Sequence, residues 1–208
     1  MINKKTKKYI FKKAQQSNIE IPKNYENILQ FYCDLISKYG YSLIFGLYPG
    51  LDIDKIGANA GLFKYSSIVA TPEWAFQLVC NNESAHIAFL MTLGHELTHK
   101  EKDLFPPMYG CGTKFVAWVN EVHADFGGTQ KMLNDNRISA LEAITYKMKQ
   151  KSTDIENYSH PSWSRRQHYI TNYNFNSELI KKIAQDAQYS NERVINKISS
   201  HFEEIVLK

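Results

Sequence analysis

The segment Ala85-His86-Ile87-Ala88-Phe89-Leu90-Met91-Thr92-Leu93-Gly94-His95-Glu96-Leu97-Thr98-His99 joins an apolar helical run to two histidines four residues apart. Helical periodicity predicts one helix over 83–102. At i and i+4 the two imidazoles lie on one face, a turn apart, where both can reach one zinc ion at about 2.0–2.1 Å. Glu96 is rotated about 100° from His95. It can therefore face a water on the metal without ligating it, and can take its proton as it attacks a carbonyl. Seven histidines in 208 residues make such a motif a chance event in about one sequence in 70. The apolar turns before it suit a buried helix. Gly94, a poor helix former, points to close packing or a close backbone approach there.

A catalytic zinc needs a third protein ligand and an open position. Asn120-Glu121-Val122-His123-Ala124-Asp125 supplies a candidate on a second predicted helix, 114–133. Glu121 and Asp125 share a face. Glu121 can complete a His₂Glu set with His95 and His99. Asp125 can accept from the remaining ring nitrogen of a ligating histidine and fix its orientation. His123 sits about 200° round the helix from Glu121 and is expected to be a core or surface residue. His86 is off the ligand face and expected to be exposed.

Outward from these helices, Tyr41–Tyr48, Leu51–Ile56 and Leu62–Ala70 read as strands, with Gly57–Gly61 as loop. Further helices are predicted over 24–39, 72–80, 138–149, 162–172, 177–188 and 191–207. The fold class is therefore α+β, mostly helical, with about three strands beside the His95–His99 helix. Composition is globular: 43% hydrophobic and 22% charged, which excludes disorder and collagen-like sequence. Cys33, Cys80 and Cys111 are three thiols without a CxxC pair, which fits a reducing, cytoplasmic setting. The apolar runs are too short to span a bilayer, and no signal peptide is legible.

The net charge of +4 divides unevenly. Residues 1–13 carry six lysines and no acid, so the other 195 sum to 4 − 6 = −2. Residues 1–23 read as a basic, solvated and frayed segment, and 24–208 as one domain. No nucleic acid is expected as partner, although the lysine tail leaves an arm for nucleic acid or anionic lipid open as the alternative.

These motifs resemble the gluzincin zinc peptidases, and within them the HtpX and CAAX-prenyl-protease family. Asn59-Ala60, then Ile68-Val69-Ala70-Thr71, is similar to that family's Asn-Ala segment and substrate-side edge strand. Glu121-x-x-Ala124-Asp125 and Ser159-His160-Pro161 with Arg166 match its later motifs. The resemblance spans about residues 57–168. It implies a zincin-like fold, one Zn²⁺ per chain, and a peptide or protein substrate contacted by Asn59 and Ala60. Tyr65–Ala70 is the expected edge strand for an extended peptide. It also implies that His160 and Arg166 join Glu96 in catalysis, as donors to a developing oxyanion; the alternative is that His160 caps the following helix or packs structurally and that Arg166 pairs with an acid. Pro161 would open a helix just after His160. Members of the family usually carry transmembrane helices, which this chain lacks. The ImmA/IrrE-type regulatory peptidases, or a non-catalytic zinc-holding protein that binds a partner, are the alternative.

Overall fold

The structure, a computed structural model, describes residues 2–47, 52–60, 67–80, 82–102, 113–150, 154 and 156–206. The elements in order are α1 (Lys4–Ser17), α2 (Tyr25–Ser37), β1 (Ser42–Phe45), β2 (Ala58–Asn59), β3 (Ser67–Ala70), α3 (Pro72–Val79), α4 (Glu83–Lys102), α5 (Lys114–Leu133), α6 (Arg137–Gln150), α7 (Trp163–Asn172), α8 (Ser177–Asp186) and α9 (Glu192–Val206). The architecture is α+β and mostly helical, with one three-stranded sheet. No helix among the described residues is long and apolar enough to cross a membrane.

The sheet order is β1-β3-β2. β1 runs parallel to β3, pairing Leu43 with Ile68 and Phe45 with Ala70. β2 runs antiparallel, pairing Ala58 with Ala70 and Asn59 with Val69. Three expectations need correction. Asp52–Ile56 forms turns rather than a strand, and Ala58–Asn59, expected as loop, is β2. β3 is central, not an edge. Its run Ile68-Val69-Ala70 is buried throughout, the pattern of a strand covered on both faces. Among the described residues the edge strands are β1 and β2. Leu51, Leu62–Ser66 and Cys111 lie outside the described residues.

The lysine-rich segment is not frayed. Asn3 caps α1, its side chain accepting from the Thr6 N–H at 2.8 Å. The buried Thr6 hydroxyl donates to the Phe45 carbonyl at 2.8 Å, anchoring α1 to β1. Ile10 and Ala14 continue that buried face into the main core. Tyr9 and Lys13 both reach the buried Glu73 of α3, which also accepts from Gln77 at 2.6 Å. The boundary expected at residue 23 marks a change of charge, not of packing.

Two apolar clusters meet across α4 and α5. The main one joins the sheet to α1–α4 and α6, with Trp74, Phe89, Met91 and Leu97 at its centre. The other packs Phe115, Trp118, Val119 and Val122 of α5 against α7, α8 and α9. Phe126 of α5 touches both. The bounds predicted for α4 and α5 coincide with those observed.

Glycine sets the approach of the two helices. A Cβ on Gly94 would lie 2.8 Å from Gly128 Cα. One on Gly128 would lie 2.8 Å from the His95 nitrogen and the Met91 carbonyl oxygen, and one on Gly127 would strike Thr98. The backbones touch here, so side chains on the next turn can meet. Because backbone rather than a flexible side chain blocks the added methyl, Gly128→Ala is expected to destabilise the protein by about 1–3 kcal/mol in urea denaturation. Unchanged stability would mean the helices do not depend on this contact.

Candidate metal centre

Beside the glycine contact, three predicted residues converge. His95 and His99 of α4 face each other with 3.0 Å between their Nε2 atoms. Glu121 of α5 lies opposite, its Oε2 3.5 Å from His95 Nε2 and its Oε1 3.4 Å from His99 Nε2. The three residues form a cluster able to share a cation. Two donors each about 2.0–2.1 Å from one tetrahedral zinc stand about 3.3–3.4 Å apart, close to the separations observed. Glu121 Oε2 is buried and has no hydrogen-bond partner. The cation nearest to it is the Arg166 guanidinium, at 3.6 Å.

Asp125 fixes the orientation of His95. Its buried carboxylate accepts from His95 Nδ1 at 3.0 Å. It also receives Arg166 in a two-point pair, Nε to Oδ2 at 2.6 Å and Nη2 to Oδ1 at 2.5 Å. Burial pushes the Asp125 carboxyl up, but the Arg166 charge and the hydrogen bonds from His95 and Arg166 outweigh it. The carboxyl is held well below the usual carboxylate range. An ionised Asp125 assigns the proton of His95 to Nδ1, leaving a lone pair on Nε2 toward His99 and Glu121. Burial likewise raises Glu121, while the His99 hydrogen bond and the charges of His95, Arg166 and His160 bring it down to about 2. Glu121 is therefore ionised, with its carboxylate facing the Nε2 atoms of His95 and His99.

Arg166 is turned toward Asp125. Its buried guanidinium is committed to Asp125, lies 3.6 Å from Glu121 Oε2 and stacks 4.1 Å over the Trp163 ring. The expectation that it donates to an oxyanion is corrected: it fixes Asp125, and through it His95. Pairing of Arg166 with an acid is the structural alternative, but which acid is not legible in the sequence because Asp125 is 41 residues away.

Glu96 and His160 do face a cleft of about 420 Å³, which residues 58–60 also line. Glu96 is half-buried, and its Oε2 accepts from the Ala60 N–H at 2.7 Å, immediately after β2. The expected substrate-side residues Asn59 and Ala60 therefore sit at the general-base candidate. His160 has its ring at the rim, 51% exposed, with Nε2 3.4 Å from Glu121 Oε1. Ser162, not a residue beside His160, caps α7, and the helix opens at Trp163 rather than Pro161.

Sequence reasoning missed Asn157 and Trp118. Asn157 Oδ1 accepts from the His160 N–H at 2.8 Å and from the Ser159 N–H at 2.9 Å. The Asn157 N–H donates to the His160 carbonyl at 3.0 Å, and Trp118 Nε1 pins the Asn157 carbonyl to α5 at 3.0 Å. An asparagine leading a polar run into His-Pro is the signature of such a side-chain turn.

The remaining candidates stand apart. His123 packs against the Phe175 ring, centroids 5.0 Å apart, as its helix angle predicts. His86, expected exposed, is half-buried against the Tyr32 hydroxyl. Cys33 and Cys80 are half-buried free thiols whose pKa burial pushes up, which suits core packing. No family model, curated protein or solved structure matches the chain.

Proposed function

We propose that the protein is a zinc metallopeptidase of the gluzincin type, with a zincin-like fold, His95, His99 and Glu121 holding the metal and Glu96 as general base. The observation that carries this reading is the convergence of three lone-pair donors beside a cleft that also holds Glu96. Zinc bound there supplies Lewis acidity, polarising a carbonyl and lowering the pKa of water toward about 7. The chain's own residues supply the rest. The Ala60 amide fixes one Glu96 oxygen, leaving the carboxylate to take a proton from the attacking water and return it to the leaving amine. A peptide substrate lies in the cleft beside Asn59 and Ala60. His160 donates to the oxyanion from the rim, held by Asn157. Sparse free thiols support a cytoplasmic setting.

The test is cleavage of a quenched-fluorescent peptide library by zinc-loaded protein and by Glu96→Gln. The variant is expected to keep its zinc and to cleave at least about 100-fold more slowly. Equal cleavage by the variant would remove Glu96 from the mechanism. A zinc-loaded wild type that cleaves nothing would favour a zinc-holding regulator.

A further inference from the structure

The anchoring of α1 turns its lysines into an ordered surface. At about 100° per residue, Lys4, Lys8, Lys12 and Lys5 fall within an arc of about 100°. The buried residues Thr6, Ile10 and Ala14 occupy the opposite side of the helix. All four lysines are exposed. Lys7 and Lys13 are different: they pair with Glu26 and Glu73. No ion pair joins any of the other four to a carboxylate among the described residues, and the first acid in the sequence is Glu20.

Local energetics oppose this arrangement. Lys4 and Lys5 stand in the first turn, where the helix dipole favours acids and disfavours cations. Lys4, Lys8 and Lys12 repel one another at i,i+4 spacing. Nothing in the packing requires lysine at these positions, so the charge is explained by what it faces.

Apolar side chains flank the lysines. Phe11, three residues from Lys8 and at the margin of the lysine arc, is 49% exposed, with its ring edge-on to Tyr25. At the start of the helix, Lys4 and Lys5 share a cavity of about 480 Å³ with Leu47, Ile53 and Pro72. Leu47 is 53% and Ile53 36% exposed. A phosphodiester backbone would use the lysines but has no use for exposed Leu and Ile. An anionic bilayer uses both, drawing lysines to headgroups and apolar side chains to the acyl boundary.

We propose that the exposed face of α1, with Phe11, Leu47 and Ile53, docks the protein on an anionic membrane surface. The inference is independent of the metal reading. The Asn3 and Thr6 side chains tie α1 to the Phe45 carbonyl on β1, whereas the cleft lies at β2. Docking face and cleft therefore belong to opposite edges of the sheet.

The experiment is co-sedimentation of the full chain with phosphatidylcholine vesicles containing either 30% phosphatidylserine or none, at about 50 mM and 500 mM salt. Binding is expected only with phosphatidylserine and is expected to weaken at high salt. Replacing lysines by glutamine should weaken it about fivefold per residue, up to the Lys4/Lys5/Lys8/Lys12 quadruple variant. That variant should melt no lower than the wild type, because like-charge repulsion is relieved. The paired change Phe11→Ser and Leu47→Ser, with all lysines kept, should also weaken binding. No binding to the serine lipid at low salt, or equal binding by the quadruple variant, would overturn the proposal. So would tighter binding to a 20-base-pair DNA duplex that the serine pair leaves untouched, which would assign the face to nucleic acid.

Discussion

Asp125→Ala is expected to destabilise the protein by about 3–5 kcal/mol, the largest effect of any single site substitution. The change leaves the Arg166 guanidinium buried with its two-point partner gone. Its nearest remaining carboxylate, Glu121, is 3.6 Å away and faces the histidines. It also removes the acceptor at His95 Nδ1, so zinc affinity should fall by about 10–100-fold even in folded protein. Replacing Asp125 and Arg166 together by apolar residues of similar volume should recover much of the stability and none of the zinc affinity. Urea denaturation of metal-free protein and zinc titration separate the two effects. The pH dependence follows from the depressed Asp125 carboxyl. A carboxyl lower in the folded than in the unfolded state stabilises fully above the unfolded value, about 3.9, and progressively less as pH falls below it. Wild-type stability should therefore drop below about pH 4, and more steeply than that of Asp125→Ala.

Zinc itself is expected to raise the melting temperature by about 10 °C at a thousandfold excess over its dissociation constant. Ligand linkage gives about 4 kcal/mol at that excess, and a domain of this size moves about 2–4 °C per kcal/mol. The physical source is local. Without a cation, two imidazole nitrogens and a buried carboxylate oxygen face one another, and Glu121 Oε2 has no donor. His99→Ala should abolish the shift. The shift is read against the variant's own metal-free melting temperature, because losing the His99 contact to buried Glu121 itself costs stability. A zinc shift that survives in His99→Ala would place the ion elsewhere.

The parts of this account legible in the sequence are those governed by one helix at a time. The turn-apart spacing of His95 and His99, and of Glu121 and Asp125, follows from helical geometry. So does the placing of His123 away from the site. Gly94 signalled a close approach, and Gly128 is what it approaches. The rest depended on contacts distant in sequence. Two residues of β2 carry no strand signal, and only the register with Val69 and Ala70 makes them one. The charge of α1 masked the spacing of Thr6, Ile10 and Ala14, which is a regular buried stripe. Arg166 looked equally suited to substrate or to structure until its partner Asp125 was placed beside it.

The claim that one zinc ion is shared by His95, His99 and Glu121 is tested most directly by anomalous diffraction. Crystals of zinc-loaded protein would be measured on either side of the zinc absorption edge. The account predicts one peak per chain, about 2.0–2.2 Å from His95 Nε2, His99 Nε2 and a Glu121 carboxylate oxygen. No peak at that point, or a peak held by other residues, would contradict it.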